Sequence, residues 1–118
     1  MRVTDAVAAA ERILPGRAAR EGRRDPRWQA IIEIGEFNRR APETVWKFIA
    51  KWGCSSDEDL RAAIGTCLLE HHLQYHFERY IGRVEELAMR DSNFANTVRC
   101  CWEFGRTKLP QTAGGFAH

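Results

Sequence analysis

Apolar residues recur at helical spacing along most of the chain, and the pattern is densest between residues 55 and 77. Ser55 and Glu58, three positions apart, predict a capping box at the start of a helix. The apolar positions of this stretch are Leu60, Ile64, Cys67, Leu68, Leu69, His71, Leu73 and Phe77. They cover more than one helical face, which indicates packing on several sides. We therefore expect this helix in the middle of a helical stack, with a break or tight turn around residues 72–76.

Proline, glycine and capping residues bound further periodic stretches and predict the remaining helices. These helices span residues 5–14, 25–39, 42–52, 77–89 and 92–105. The expected capping residues are Thr4, Asp25 and either Asp91 or Ser92. Gly53 is expected to end the helix from Pro42 as its C′ residue. Because the connection around residues 40–41 is short, we expect the helices on either side of it to be antiparallel neighbours.

The chain has 118 residues, the length of one domain, and its 44% hydrophobic residues indicate a folded core. The helix after Asp25 is expected to bury Trp28, Ile31, Ile32, Ile34 and Phe37. The predicted core comprises Trp28, Ile31, Ile34, Trp46, Ile49, Ile64, Cys67, Leu68, Val84, Val98 and Trp102. We expect a capping helix and basic linker over residues 1–24, helical repeats over 25–106 and a flexible tail over 107–118.

Charge and cysteine content bear on location and partners. The 18 basic and 16 acidic side chains give a net charge of +2, so the molecule as a whole has little attraction for nucleic acid or an anionic membrane. The four cysteines form no Cys-x-x-Cys pair, and no apolar run has transmembrane length. The first residues lack the apolar core of a secretory signal. We predict a bacterial-like cytoplasmic protein with reduced thiols and no membrane contact.

Three stretches of the chain align as an internal repeat. Ile31, Ile64 and Val98 share one register and are 33 and 34 residues apart. The same register aligns Ala30 with Ala63, Ile34 with Cys67 and Cys101, and Glu36-Phe37 with Glu103-Phe104. Each unit is then a helical hairpin, and the last unit lacks its second helix. Trp102 and Phe104 near this uncapped end make a homodimer a further expectation.

The segments Asp25-Pro26-Arg27-Trp28-Gln29-Ala30-Ile31 and Asp59-Leu60-Arg61-Ala62-Ala63-Ile64 resemble the HEAT/armadillo-like family of α-solenoids. The resemblance extends from about Asp25 to Gly105. It implies an all-α, right-handed stack of antiparallel helical hairpins with five or six helices. Members of this family mostly act as scaffolds that bind a partner along a curved face. A few HEAT-like proteins bind DNA, including alkylpurine glycosylases.

Cationic side chains outside the apolar stripes predict a partner-binding face. The second helices of two repeats would line the same side of the stack and place Lys47, Lys51, Arg79, Arg83 and Arg90 there. Such a basic stripe could face the carboxylates or phosphates of a partner. In the alternative, Glu43 pairs with Lys47 and Glu86 pairs with Arg90 within each helix, which leaves a solvated, self-paired face.

A second basic cluster lies in the linker RAAREGRR and just after it. Its members are Arg17, Arg20, Arg23, Arg24 and Arg27, and all five are candidate contacts to nucleic-acid phosphates. The stretch has no interleaved aromatic residues. The alternative is therefore a solvated linker without a binding role.

The sequence offers little support for metal or catalytic chemistry. His71, His72 and His76 form a histidine cluster, in which His72 and His76 are four residues apart. These two could meet one Zn²⁺ with Glu70 or Glu78 nearby, but no third ligand lies at a motif spacing. We therefore predict turn-forming histidines and no metal. Cys100 and Cys101 are expected to pack in the core rather than act as nucleophiles. The glycines form no phosphate-binding motif, so no cofactor is predicted.

These observations favour a non-catalytic protein-binding module: a small HEAT-like adaptor, inhibitor or immunity-type factor. The alternative is nucleic-acid backbone binding by a HEAT-like fold related to DNA-repair glycosylases. A steep loss of affinity with salt would favour the alternative, because phosphate binding releases counterions.

Overall fold

The computed structural model describes residues 2–17, 19–20 and 22–103, without the side chains of Trp102 and Glu103. This part of the chain is helical and has no strand, which confirms the all-α prediction. Its elements are α1 Val3–Ile13, α2 Pro26–Gly35, α3 Pro42–Trp52, α4 Glu58–Ile64, a π-helical segment Gly65–Leu69, α5 Glu70–Arg90 and α6 Ser92–Glu103. The predicted flexible tail over 107–118 lies outside the described residues.

Side-chain caps fix the starts of α2 and α6 where the sequence predicts them. The carboxylate of Asp25 accepts a 2.8 Å hydrogen bond from the backbone N–H of Arg27, and Pro26 takes the first helical position. The carboxylate of Asp91 accepts from the N–H of Phe94 at 2.9 Å. Thr4 is not a cap, because α1 already begins at Val3.

The predicted Ser55/Glu58 capping box is wrong by two residues. The N-cap of α4 is Asp57, whose carboxylate accepts from the N–H of Leu60 at 3.1 Å. Ser55 instead accepts from the N–H of Asp57 at 3.1 Å and shapes the preceding turn. Asp57 is favoured as the N-cap because its carboxylate adds negative charge at the positive end of the helix dipole and also binds Arg27.

Within the described residues, α4 and the π-helical segment lie at the centre of the helices. They lie between α2 and α6, while α3 and α5 pack against each other and against the α4 region. α1 covers α2 and α3. The central position predicted for the 55–77 stretch is therefore confirmed.

The predicted antiparallel pairing of α2 with α3 is not observed. α2 packs closely on α1, α4 and the π-helical segment, whereas α3 packs on α1, α4 and α5. The reason is that α2 ends at Gly35 rather than at residue 39, and residues 36–40 form turns. This longer connection lets α3 move away from α2.

The three register positions of the repeat are fully buried. Ile31, Ile64 and Val98 each have 0% exposed surface, as their shared register predicts. Also buried are Ile34, Trp46, Ile49, Leu68 and Val84. Trp28 and Cys67 are only partly buried, and the side chain of Trp102 lies outside the described residues. Tyr80 is a buried core residue that the sequence analysis missed.

Two glycines allow α6 to approach the centre of the fold. A Cβ at Gly65 would lie 2.5 Å from the carbonyl oxygen of Thr97, and a Cβ at Gly53 would lie 2.9 Å from the Phe94 ring. Gly53 has a φ of −67°, so close approach and not the predicted left-handed C′ conformation explains this residue. Hydrogen bonds reinforce both contacts: the Thr97 hydroxyl donates to the Gly53 carbonyl at 2.6 Å, and the Cys101 thiol donates to the Gly65 carbonyl at 3.1 Å.

Candidate functional site

A surface cleft of about 310 Å³ lies between α2 and the first half of α5, with the π-helical segment beside it. We call it the α2–α5 cleft. Its lining residues are Ile32, Gly35, Glu36, Asn38, Thr66, Cys67, His71 and Tyr75. The cleft thus combines the end of α2, the turn after it, and two consecutive helical segments from the centre of the fold.

The rim of the cleft carries two large, exposed hydrophobic side chains. Ile32 is 45% exposed and Tyr75 is 54% exposed. The guanidinium of Arg39 lies over the Tyr75 ring, 5.3 Å from its centroid, and so holds the ring in place. Ile32 contradicts the prediction that it is buried. With Ile31, Ile32 and Ile34 in four positions, α2 has more large apolar residues than its inner face can cover.

Beneath the cleft lies a polar side chain that has no protein partner. Asn38 is 1% exposed, and neither its Nδ2 nor its Oδ1 is hydrogen-bonded within the described residues. Its backbone is paired, however. Its N–H donates to the Gly35 carbonyl at 3.2 Å, and its carbonyl accepts from His76 at 2.8 Å. The turn is therefore held through the backbone groups of Asn38, and its carboxamide contributes no bond to it.

Gly35 and the π-helical segment lie next to the Asn38 carboxamide. A Cβ at Gly35 would meet the Cys67 carbonyl at 3.5 Å and Asn38 Nδ2 at 3.8 Å, which are ordinary contact distances. The Thr66 hydroxyl donates to the Ala62 carbonyl at 2.7 Å, which orients that wall of the cleft. π-helical turns occur often at functional sites, and this one places Thr66 and Cys67 at the cleft.

Two histidines of α5 form hydrogen bonds with the turn that carries Asn38 and with the start of α3 just after it. His72 Nε2 lies 3.0 Å from the Pro42 carbonyl, and His76 Nε2 lies 2.8 Å from the Asn38 carbonyl. Because a carbonyl oxygen only accepts, Nε2 is the protonated nitrogen of both rings. The backbone of His76 is non-helical, with φ −135° and ψ 37°. The predicted break around residues 72–76 is therefore confirmed as a kink within α5.

Burial determines the protonation behaviour of the groups near the cleft. Burial lowers the pKa of His72, whose Nδ1 has no hydrogen-bond partner among the described residues. Burial raises the pKa of the Cys67 thiol, and it raises that of Cys54 to about 11. The pKa of the fully buried Cys101 thiol is raised as well, as its predicted core position implies. These thiols are protonated at neutral pH and are poor nucleophiles.

Three of the five residues of the predicted basic stripe are ion-paired. Arg83 binds Glu43 Oε1 at 2.7 Å, Lys51 binds Glu11 at 2.6 Å, and Arg90 lies 3.7 Å from Glu86. Lys47 and Arg79 form no ion pair with the described residues. Of the two predicted intrahelical pairs, Glu86 with Arg90 is present. Glu43 is bound by Arg83 and by the Tyr80 hydroxyl instead of by Lys47.

Within this stripe, Arg79 and Arg83 share one aromatic neighbour. Both guanidinium groups lie 5.2 Å from the Tyr80 ring centroid. Lys47 and Lys51 line a smaller pocket of about 260 Å³ against α1. The stripe is thus partly neutralised and tied to neighbouring helices.

The basic linker is split by the structure into four exposed arginines and one buried arginine. The exposed residues are Arg17, Arg20, Arg23 and Arg24, and none forms an ion pair with the described part of the chain. Arg27 is 2% exposed, and its guanidinium contacts the carboxylates of Asp25, Asp57 and Asp59 and the Pro15 carbonyl. The expectation that Arg27 contacts phosphate is therefore wrong, because carboxylates of the chain itself occupy its donors.

Neither a metal cluster nor a membrane span is found among the described residues. No three His, Cys, Asp or Glu side chains in 2–17, 19–20 and 22–103 come together at one point. No helix in the same ranges is long and apolar enough to cross a bilayer. No protein-family model, curated protein or solved structure matches the chain.

Proposed function

We propose that this chain is a non-catalytic protein-binding module, a small HEAT-like adaptor, inhibitor or immunity-type factor, whose α2–α5 cleft holds a short segment of a partner protein. One observation carries the proposal: exposed apolar side chains, Ile32 and Tyr75, flank a cleft with the unpartnered carboxamide of Asn38 beneath it. Neither feature stabilises the free protein, because exposed apolar area stays in water and an unpaired buried amide is unfavourable. A bound segment would cover the exposed apolar side chains and would offer hydrogen-bond partners to the carboxamide.

The size and charge of the cleft favour a short, uncharged segment. A volume of about 310 Å³ is at the lower end for ligand sites, so it fits about one or two side chains of a peptide. Glu36 lines the cleft, and Arg39 lies over Tyr75 beside it. Their opposite charges cancel, and they give no preference for a charged partner.

The HEAT-like part of the proposal rests on the repeat. Ile31, Ile64 and Val98 are equivalent in register and equally buried. The helix that contains Ile64 packs between the helices that contain the other two residues. This order is expected when consecutive repeats stack on their neighbours.

The cleft can be tested with a displayed library of random heptapeptides panned on the immobilised chain. We expect Ile32→Ser and Tyr75→Ala to lose the peptides that the wild-type chain retains. Both side chains are exposed, so these substitutions should change the free energy of unfolding by less than about 0.5 kcal/mol.

Matched controls are Ile13→Ser and Met89→Ala, which remove exposed hydrophobic side chains away from the cleft. These variants should retain the same peptides as the wild-type chain. Equal loss in rim and control variants would mean that binding is non-specific. If sedimentation showed a wild-type dimer that only the rim variants dissociate, the rim would be a contact between two copies and the proposal would be wrong.

The second candidate function is nucleic-acid backbone binding, as in a HEAT-like fold related to DNA-repair glycosylases. It is favoured by the four exposed arginines of the linker, which form no ion pair with the described residues. We expect a labelled 20-base-pair DNA duplex to bind with a steep salt dependence, and replacing Arg17, Arg20, Arg23 and Arg24 by Gln to flatten it. No binding at about 50 mM salt would exclude this candidate.

A further inference from the structure

The Asn38 side chain is buried in a way that the fold does not explain. Its backbone already forms two hydrogen bonds, one from its N–H to the Gly35 carbonyl and one to its carbonyl from the His76 ring. Its carboxamide forms none of the bonds available to it within the described residues. A leucine has the same branched arrangement of side-chain heavy atoms without any unpaired polar atom. The fold alone would therefore be served better by an apolar side chain at this position.

The geometry above Asn38 limits what can reach the carboxamide. The amide atoms lie just beneath the surface of the α2–α5 cleft, and Nδ2 is 3.8 Å from the point where a Gly35 side chain would begin. The opening beside Gly35 is therefore narrow, since a Cβ placed there would already be in van der Waals contact with Nδ2 and with the Cys67 carbonyl. An extended main chain is too broad to enter such an opening, whereas the end of a side chain fits it.

A primary carboxamide has the complementary bonding pattern. Its oxygen and its N–H group lie at the same end of the molecule, so two carboxamides can exchange two hydrogen bonds in one plane. Carboxylates lack the donor, and hydroxyl groups cannot span both atoms. Ammonium groups lack the acceptor.

We propose that Asn38 is the specificity-determining residue of the cleft and binds the side-chain carboxamide of a glutamine or asparagine in the partner's segment. This inference rests on the proposed function of the cleft. On binding, the Asn38 side chain turns toward the opening, Nδ2 donates to the incoming carbonyl oxygen, and Oδ1 accepts one incoming N–H. The apolar part of the segment packs on Ile32 and Tyr75.

The test uses blocked amino acids as probes and ¹H–¹⁵N correlation spectra of the full chain. N-acetyl-glutamine methylamide should shift the Asn38 side-chain NH₂ signals saturably. The corresponding glutamate and alanine compounds should bind roughly tenfold or more weakly, because each leaves a buried polar group unpaired. L-glutamine is included to distinguish a protein side chain from a free amide.

Three variants separate recognition from folding. The backbone amide signals of Cys67 and Tyr75, which line the same cleft, report binding in variants that lack the Asn38 side chain. Asn38→Leu should abolish their shifts with the glutamine compound and raise the melting temperature, because it removes an unpaired buried amide. Gly35→Ala should also weaken the response, since its methyl group narrows the opening. Gly82→Ala is the matched control: it adds a methyl group to an α-helix where nothing lies within 4 Å, and it should leave the response unchanged.

The remaining outcomes contradict the inference in distinct ways. Equal shifts from the alanine compound would mean that main-chain groups are recognised. Shifts from L-glutamine alone would identify a free amide ligand. If no probe perturbs Asn38, the carboxamide binds only water. If displayed peptides still depend on Ile32 and Tyr75 but bind Asn38→Leu as well as the wild-type chain, the proposed function stands and this inference fails.

Discussion

Arg27 and Asn38 are both almost completely buried, yet their surroundings are opposite. The Arg27 guanidinium meets three carboxylates and a backbone carbonyl, while the Asn38 carboxamide meets no hydrogen-bonding partner among the described residues. Arg27 joins the ends of α1, α2 and α4, and its bonds are complete without a ligand. Asn38 lies in a turn that other bonds hold. The comparison teaches that the pairing of a buried polar group, and not its burial, distinguishes a residue that serves the fold from one for which we propose a binding role.

Replacing Arg27 by Met should have the largest effect on stability. The substitution keeps much of the apolar volume but leaves Asp25, Asp57 and Asp59 without their cation. We expect a loss of about 3 kcal/mol in the free energy of unfolding, near the lower end for a broken buried ion pair, because Asp57 and Asp59 are partly exposed. Urea denaturation monitored by circular dichroism measures it.

Arg24→Met is the control for this substitution. Arg24 is exposed and forms no ion pair with the described residues, so the change should stay within about 0.5 kcal/mol. Similar effects of the two substitutions would show that the carboxylates around Arg27 do not depend on it. The distinction between Arg27 and Asn38 would then be lost.

The next largest effect is a dependence of the free energy of unfolding on pH, which arises from His72 on α5. His72 is fully buried, and burial lowers its pKa below the ordinary value of 6.5. Below pH 6.5 the unfolded chain binds a proton that the folded chain does not, so folding becomes less favourable as the pH falls. The loss should be at most about 1.4 kcal/mol per pH unit, until the folded pKa is reached.

Thermal unfolding between pH 7.5 and 5 tests this dependence. His72→Gln should flatten the curve, whereas His71→Gln, which changes an exposed histidine on the same helix, should leave it unchanged. The groups that act on His72 besides its burial are the Pro42 carbonyl, His76, Glu43 and Arg79. If His72→Gln and the wild-type chain lost stability in parallel, another of these groups would be responsible.

The carboxylates around Arg27 should make stability depend on pH in a separate, more acidic pH range. The N–H of Leu60 and the guanidinium of Arg27 lower the pKa of Asp57 below 3.8. A lowered carboxyl pKa gives stability that is present above the unfolded value and is lost as the pH falls through the folded value.

Features that depend on neighbours in sequence could be predicted. The Asp25-Pro26 helix start, the buried register of Ile31, Ile64 and Val98, and the kink near His76 all follow from capping chemistry or apolar spacing. Each of these signals lies within a few residues of the structure that it determines. The predicted N-cap of α4 was two residues too early, because Ser55 and Asp57 are both residues that can cap a helix.

Features that depend on distant partners could not be predicted. Arg27 is 30 and 32 residues from two of its carboxylates, so the sequence shows it only as one more arginine in a basic run. Asn38 was expected inside the helix over residues 25–39, whereas it lies in the turn after α2 and is buried there by elements distant in sequence. The triple isoleucine pattern of α2 was the one sequence signal for the cleft, because not all three side chains fit one buried face.

The smallest expected effect concerns the ion pair between Lys51 and Glu11, which is an exposed counterpart of the buried Arg27 ion pairs. Lys51 binds Glu11 at 2.6 Å, but the lysine side chain is 60% exposed. Lys51→Gln should lower the free energy of unfolding by about 0.5 kcal/mol, and Lys47→Gln, which breaks no ion pair with the described residues, should lower it less. In 1 M salt the difference between the two variants should vanish, while most of the Arg27→Met effect should persist, because salt screens exposed charges far more than buried ones. A Lys51 effect that resists salt would place this pair with Arg27 as a structural contact, and the predicted basic stripe would lose one of its cations as a binding residue.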